Sequence, residues 1–147
     1  MTGSIVVGVD GSPASVNALR WAVARAEAEH RTVVAVEVRY PAQLLPGTSY
    51  APAPHGMAPP APHGSVLHDT VAAVREAGPT APRITALRRS GAPGIELARA
   101  AHGAVMLVLG YNPRGRTTEF LFGRVTNECL RHADVPVVLV PANGHQA

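Results

Sequence analysis

The sequence contains no lysine and only one cysteine. All thirteen of its basic residues are therefore arginines, which the base composition of the genome explains better than selection for a basic surface. With ten acidic residues the net charge is +3, so we expect a solvated mixed surface in preference to a nucleic-acid-binding face. A single cysteine excludes an internal disulfide. Cys129 is expected to be a small buried apolar residue, with a redox role as the alternative.

Long hydrophobic runs are also missing. No stretch approaches about 18 apolar residues, and the sequence has neither an N-terminal apolar signal nor a lipidation motif. We therefore expect a cytoplasmic protein with no membrane partner. Hydrophobic residues still make up 46% of the 147 residues, which is typical of one globular domain of ordinary size.

Residues 41–64 lack every acidic residue and every arginine, and they hold seven of the fourteen prolines. This composition predicts a long flexible insertion outside the core. Tyr50, His55 and His63 suggest a lid or a metal site as the alternative, but an insertion without such a role is favoured. Residues 142–147 are expected to be a polar tail.

The rest of the chain alternates short apolar runs with helical patterns. This order predicts an α/β fold, an open doubly wound parallel sheet of five strands with four helices on its two faces. The strands are expected at residues 5–9, 32–38, 84–88, 104–109 and 135–140. The helices are expected at residues 13–30, 66–77, 93–101 and 119–130.

A loop rich in glycine and arginine joins the fourth strand to the last helix. A strand, a glycine-bearing loop and a helix direct backbone N–H groups and a helix dipole at an anion, so this segment predicts a phosphate-bearing ligand. If strands 1 and 4 are neighbours where the strand order reverses, Asp10 and Gly110 face one crevice. The alternatives are that Asp10 only stabilises a turn and that Gly110 only permits one.

Several segments resemble the universal stress protein family: residues 5–15 (IVVGVDGSPAS), residues 90–93 (SGAP) and residues 132–141 (HADVPVVLVP). The glycine-rich loop also resembles that family's nucleotide signature, Gly-x2-Gly-x9-Gly-Ser/Thr. Gly110 matches the first glycine and Gly123 the third. Pro113 stands in place of the second glycine, and Arg124 in place of the hydroxyl residue. The similarity covers nearly the whole chain except residues 41–64 and the last few.

The resemblance implies an adenine nucleotide alpha hydrolase-like fold with strand order 3-2-1-4-5. It implies ATP or AMP as the ligand, with Mg²⁺ possible alongside ATP, and a homodimer formed through the strand from Val135 to Val140. Arg124 would either pair with phosphate or block the pocket. The nucleotide-binding residues that the resemblance implies are Asp10, Val38, Gly110, Arg114, Gly115, Gly123, Arg124 and Val125.

Motifs of dedicated enzymes are missing from the sequence. It has no Gly-Lys-Ser/Thr phosphate loop, no Gly-x-Ser-x-Gly elbow and no histidine pair with metal-ligand spacing. Three functions stay open: a nucleotide-binding stress regulator, a homodimeric interaction protein that has lost the nucleotide, and a slow ATP hydrolase. We expect the first, with weak ATP hydrolysis at most.

Overall fold

The computed structural model describes residues 3–39, 66–75, 82–112 and 123–142. The predicted insertion at residues 41–64, most of the arginine-rich loop and the end of the tail lie outside these residues. The described elements alternate strand and helix, as predicted. They are β1 (Ile5–Gly8), α1 (Pro13–Glu29), β2 (Val33–Arg39), α2 (Val66–Arg75), β3 (Ile84–Ser90), α3 (Pro93–Ala100), β4 (Met106–Tyr111), α4 (Arg124–His132) and β5 (Val137–Pro141).

The five strands form one parallel sheet in the order β3-β2-β1-β4-β5, which confirms the predicted fold class and strand order. β1 is the central strand, and all four of its residues are buried. Branched apolar residues suit a strand that is covered on both faces. The strand order reverses between β1 and β4, so the crevice of this sheet is expected at their carboxyl ends.

The helices cover the two faces of the sheet in pairs. α1 and α2 pack on one face, over a core that includes Ile5, Val33 and Ile84. α3 and α4 pack on the other face, over a core that includes Val36 and Leu107. Within the described part of the chain, no helix is long and apolar enough to cross a membrane.

β1 and β2 differ from their predicted bounds by one residue, and β3, β4 and β5 differ by up to two residues. β4 begins two residues after the start of the apolar run that predicted it. Ala104 is not in the strand because its N–H donates to the Ala101 carbonyl at 2.9 Å and closes a turn. β5 begins two residues late, after Pro136. β3 extends two residues beyond its predicted end, since Arg89 and Ser90 pair in register with β2.

Cys129 is fully buried between α4 and α3, which confirms its prediction as a small buried residue. Its Sγ lies 3.5 Å from the Gly94 carbonyl oxygen. Burial raises the pKa of the thiol from its ordinary 9.0 to about 12, and the negative charge of Glu128 adds to the effect. A thiol held protonated in this way is a poor nucleophile, so the redox alternative loses its chemical basis.

The turn between β1 and α1 follows from its sequence. The Ser12 hydroxyl caps the helix by accepting from the Ser15 N–H at 3.1 Å, and Pro13 occupies the first helical position, where its missing donor costs nothing. The turn carries Asp10 to the carboxyl edge of the sheet.

Candidate functional site

A cavity of about 290 Å³ opens at the carboxyl ends of β1 and β4, where the strand order reverses. α3 and the first turn of α4 form its outer wall. The described residues that line it are Gly8, Val9, Asp10, Ser15, Val36, Val38, Pro93, Leu97, Leu109, Gly110, Val125 and Thr126. We call this cavity the crevice.

Asp10 makes the turn contacts that one of the two sequence-based alternatives expected. Its Oδ1 accepts from the Ser12 N–H at 2.9 Å and from the Ser12 hydroxyl at 2.6 Å, so the side chain does stabilise the turn before α1. Its backbone N–H donates to the Ser15 hydroxyl at 3.3 Å. No described residue donates to Oδ2. Asp10 therefore brings to the crevice an oriented carboxylate with one acceptor oxygen unused by these residues.

Gly110 is required for a reason that neither sequence-based alternative included. The residue lies inside β4, paired with Val140, and not in a turn. A Cβ at this position would lie 2.3 Å from the backbone carbon and oxygen of Ala14, and 2.7 Å from the Ser15 nitrogen. The first turn of α1 therefore packs directly on the backbone of β4. This contact fixes the distance between the two walls of the crevice that carry Asp10 and Gly110.

The first turn of α4 presents a hydroxyl that the sequence analysis missed. Thr126 is only 5% exposed and lines the crevice, and its hydroxyl has no hydrogen-bond partner among the described residues. Thr126 lies three residues before the buried Cys129, and residues with this spacing share one face of a helix. This spacing was the signal in the sequence for the burial of Thr126. Val125, four residues before Cys129 on the same helix, is 36% exposed and also lines the crevice.

Arg124 does not line the crevice. It lines a separate cavity of about 570 Å³ together with Asn127, Glu128 and Arg131, on the outer side of α4. It therefore neither contacts nor blocks the crevice in this conformation. Gly123 precedes it with φ of 89°, a left-handed value that favours glycine.

The structure thus brings four of the eight predicted site residues to the crevice: Asp10, Val38, Gly110 and Val125. Gly123 and Arg124 adjoin it at the start of α4, whereas Arg114 and Gly115 lie outside the described residues. A nucleotide-binding role for each of them stays a prediction. The apolar wall formed by Val36, Leu97 and Leu109 was not predicted from the sequence, and neither were the hydroxyls of Ser15 and Thr126.

The chemistry of the crevice is that of an apolar slot with a few oriented polar groups. Asp10 is the one charged residue among the described residues that line it. These residues include no cluster of three or more histidine, cysteine or acidic side chains placed to hold a metal ion. Such a lining suits a flat apolar ring that carries hydroxyl groups, and it lacks the cations that would hold a highly charged ligand.

Comparison with known sequences gives one consistent result. The sequence model of the universal stress protein family matches residues 1–141. Universal stress protein Rv2623 of Mycobacterium tuberculosis is 32% identical over 147 residues, which cover 92% of this chain and 46% of that protein. Universal stress protein Rv1996 of the same organism is 30% identical over 151 residues, covering 93% and 47%. The chain therefore spans about half the length of these relatives.

Solved structures share the fold. A universal stress protein crystallised in complex with cAMP has a TM-score of 0.72 and 24% identity, over 97% of this chain and 98% of that chain. A universal stress protein from Archaeoglobus fulgidus in complex with dAMP has a TM-score of 0.63 and 22% identity, over 94% and 97%. These similarities establish the adenine nucleotide alpha hydrolase-like fold.

Proposed function

This chain belongs to the universal stress protein family, and we propose that it binds an adenine nucleotide, with the nucleoside part in the crevice between β1 and β4. The observation that carries the proposal is the buried Thr126 hydroxyl without a described partner, in an apolar cavity that also holds the Asp10 carboxylate. A buried polar group is costly unless something bonds to it, so this hydroxyl is readily explained by a ligand. Nucleotide complexes of cAMP and dAMP in two proteins of the same fold support the choice of adenine.

Each wall of the crevice has a distinct task in this proposal. Asp10 accepts a hydrogen bond from a ribose hydroxyl through Oδ2, while Oδ1 stays bound to Ser12. The adenine ring lies against the apolar side chains of Val38 and Leu97. The Thr126 hydroxyl bonds to a polar atom of the sugar or of the first phosphate.

The phosphate part of the site is the weaker half. Pro113 removes a backbone donor from the loop after β4, and Arg124 replaces a hydroxyl residue and lines another cavity. The loss of one or two charge-assisted contacts costs about 1.5 to 3 kcal/mol each, which weakens binding by tenfold or more per contact. We therefore expect ATP and AMP to bind with similar, micromolar or weaker affinity, and Mg²⁺ to contribute little.

The biological role that we propose is that of a regulatory module and not of a dedicated enzyme. Of the described residues, none provides a general base next to the crevice besides Asp10, whose carboxylate is bound to Ser12. Nucleotide occupancy would then be the signal that the protein carries. Since the chain spans about half of its mycobacterial relatives, any activity of those longer proteins is a separate proposal.

Calorimetric titration of ATP, AMP and cAMP tests the proposal. We expect the native protein to bind, Thr126→Val to bind about five- to tenfold more weakly through loss of one hydrogen bond, and Asp10→Asn to lose at least as much. Asp134→Asn is the matched control, because Asp134 is an exposed acid that does not line the crevice, and we expect the change to leave nucleotide affinity unaltered. Thr126→Val should leave the free protein at least as stable as before, since no described group loses a partner and an unpaired buried hydroxyl is removed.

Two results would contradict the proposal. One is the absence of binding by the native protein. The other is equal binding by the native protein and both crevice variants, which would place the ligand elsewhere. An Arg124→Ser variant that alone binds tightly would identify Arg124 as the residue that limits the phosphate half.

We also propose the homodimer through β5. β5 is an edge strand of the sheet, and all five of its residues are half-buried. Val138 and Val140 pack towards one core, and Val137 and Leu139 towards the other, so apolar surface remains on both faces of an open edge. Such an edge is a template for pairing with another chain. If the crevice binds no nucleotide, this dimer remains the basis for an interaction protein.

A further inference from the structure

The outer edge of β3, at the other end of the sheet from β5, presents unpaired backbone groups. The Arg83 carbonyl accepts from the Val33 N–H, and the Gly91 N–H donates to the Arg39 carbonyl, each at 3.0 Å. Because successive peptide groups of a strand point to opposite sides, the alternate residues Ala86, Arg88 and Ser90 direct theirs away from β2. All three residues are exposed.

Within the described part of the chain no strand pairs with this edge. One outward carbonyl near its start, that of Ile84, accepts from Arg75 Nη2 at 3.3 Å. The stretch from Ala86 to Ser90 is therefore the open part of the edge. We call this stretch, with the arginines beside it, the β3 edge.

An acidic residue orients two arginines on the α1 and α2 side of the β3 edge. Arg88 Nε lies 3.4 Å from Glu37 Oε1, and Arg39 Nε lies 3.8 Å from Glu37 Oε2. The Glu37 side chain is only 11% exposed, whereas those of Arg88 and Arg39 are about 40% exposed. The carboxylate is thus an internal anchor, and the guanidinium groups form the surface.

The same arrangement recurs on the other face of the sheet. Arg89 Nε lies 3.2 Å from Glu96 Oε1, and Arg99 Nη1 lies 3.1 Å from Glu96 Oε2. Glu96 is again the less exposed partner, at 15%. Each cluster joins two arginines to one carboxylate, so each carries a net charge of +1 and the β3 edge carries +2.

The atoms used in these pairs matter for what the β3 edge can bind. Arg88 and Arg89 use Nε to hydrogen-bond their glutamates, whereas Arg39 makes only the longer ion pair, and none of these three arginines donates a hydrogen bond from its terminal nitrogens to a described residue. The terminal Nη pair of a guanidinium is a planar donor fork that matches a carboxylate. The hydrogen bonds at Nε restrain the forks of Arg88 and Arg89 before a ligand arrives, which lowers the entropy lost on binding.

We propose that the β3 edge is a docking site for an extended, acidic segment of another protein. The segment adds as a sixth strand next to Ala86–Ser90, with its backbone bonded to the outward peptide groups. Neighbouring side chains of that strand point to opposite faces, where Arg88 and Arg89 lie. Aspartate or glutamate at consecutive positions therefore meets one arginine on each face.

Charges on an edge strand also occur as a protection against aggregation. A protective role needs only exposed charge, and flexible side chains serve it well. In the β3 edge, Arg88 and Arg89 are instead restrained by largely buried glutamates, one on each face, and their donor forks remain unused by described residues. Fixed complementary donors beside open backbone groups favour recognition over repulsion.

Fluorescence anisotropy tests the proposal with a labelled short peptide of glutamate and valine. Some of its glutamates alternate with valine, and others stand at consecutive positions. The same peptide with lysine in place of glutamate is the negative probe, and a single-stranded DNA oligomer of equal charge tests for a general polyanion site. Of these three probes, we expect only the acidic peptide to show saturable binding. Added salt should weaken that binding.

Variants separate the charge contribution from the backbone contribution. Arg88→Gln and Arg89→Gln should each weaken peptide binding about two- to fivefold, and the double variant about tenfold. Arg20→Gln is the control, since it removes the same charge from an exposed position of α1. Ala86→Pro removes one outward N–H without touching the ladder to β2, and it should weaken binding by a similar factor.

Melting curves establish that each variant is folded before its binding is compared. Absence of saturable binding to the native protein overturns the proposal. So does equal binding of the DNA oligomer with no effect of Ala86→Pro, because that pattern describes an unspecific charged surface. Loss through both the arginine variants and Ala86→Pro, with Arg20→Gln unchanged, supports an added strand.

Discussion

At the scale of single residues, Gly110 shows that a glycine of the nucleotide signature can be needed for the packing of a helix on a strand. Its missing side chain lets the backbone of α1 rest on β4, since a Cβ there would meet Ala14 atoms at 2.3 Å. Such a distance cannot be relieved by a side-chain rotation, because the obstructing atoms are backbone. The same glycine lines the crevice, so a substitution should affect stability before it affects any ligand.

We predict that Gly110→Ala lowers the free energy of unfolding by about 3 kcal/mol, at the upper end for overpacked sites. Gly103→Ala is the matched control. Gly103 has open space around its missing Cβ, and only its φ of 84° opposes alanine, at a cost of about 1 kcal/mol. Urea denaturation of both variants measures the difference. Equal losses would contradict the packing explanation.

Cys129 gives the fold a defined dependence on alkaline pH. Burial raises the pKa of its thiol from the ordinary 9.0 to about 12. Between these values the unfolded chain releases the proton and the folded chain keeps it, so the unfolded state binds fewer protons and stability falls as pH rises. The loss from this group is about 1.4 kcal/mol per pH unit within that window.

Cys129→Ala tests this prediction by removing the titrating group. Denaturation of the native protein and the variant should show curves of stability against pH that converge above pH 9. The alanine variant starts lower because a buried sulfur is lost, but its slope should be shallower. Parallel curves would show that the thiol ionises equally in the folded and unfolded chains.

At the scale of elements, the pattern of apolar residues was sufficient to predict the strands that are buried on both faces of the sheet. β1 and β4 read as continuous branched runs, and the structure places both inside the sheet. Edge strands were predicted less well. The end of β3 consists of two arginines and a serine, whose strand geometry comes from pairing with Glu37–Arg39 and not from their own pattern. Long-range pairing of this kind leaves no local signal.

The turn before α1 links helix capping to the orientation of Asp10. Ser12 caps α1 and also donates to the Asp10 carboxylate through its hydroxyl at 2.6 Å. We predict that Ser12→Ala destabilises the protein by about 1 kcal/mol, the usual cost of losing an N-cap. It should also weaken nucleotide binding, since the carboxylate loses an orienting bond. Denaturation and titration of Ser12→Ala measure the two effects, and Ser90→Ala, an exposed serine on β3, is the control.

A stability loss in Ser12→Ala with unchanged nucleotide affinity would show that the remaining bond from the Ser12 N–H, at 2.9 Å, is enough to orient Asp10.

At the scale of the whole molecule, the strand order predicted more of the candidate site than the sequence motifs did. Once the strand order was known, Asp10 and Gly110 were expected to meet at one crevice, because Asp10 follows β1 and Gly110 lies near the end of β4, beside the reversal of order. The Thr126 hydroxyl could not be located this way. Its burial depends on how α4 packs against α3, which involves the close approach of Gly94 to Glu128. The direction of the Arg124 side chain, away from the crevice, likewise has no local sequence signal.

The two edges of the sheet differ in chemistry, and so should their assemblies. β5 offers half-buried valines and a leucine, whereas β3 offers arginines. We predict a two-fold dimer through β5 in the micromolar range, and that Val138→Glu converts it to monomer or aggregate. Sedimentation velocity measures the assembly, and circular dichroism checks that the variant is folded. A monomeric native protein at these concentrations would contradict the prediction.

The single tryptophan of the chain has a spectroscopic consequence. Trp21 lies on α1, partly buried against the core, with the Arg25 guanidinium 5.5 Å from the centre of its ring. Its emission therefore comes from one known environment, without overlap from a second indole. A red shift reports the departure of α1 from the sheet, and because α1 rests on Gly110 and carries the Ser12 cap, that shift also marks the opening of the crevice. The molecule thus carries an intrinsic fluorophore on the helix whose first turn lines its candidate site.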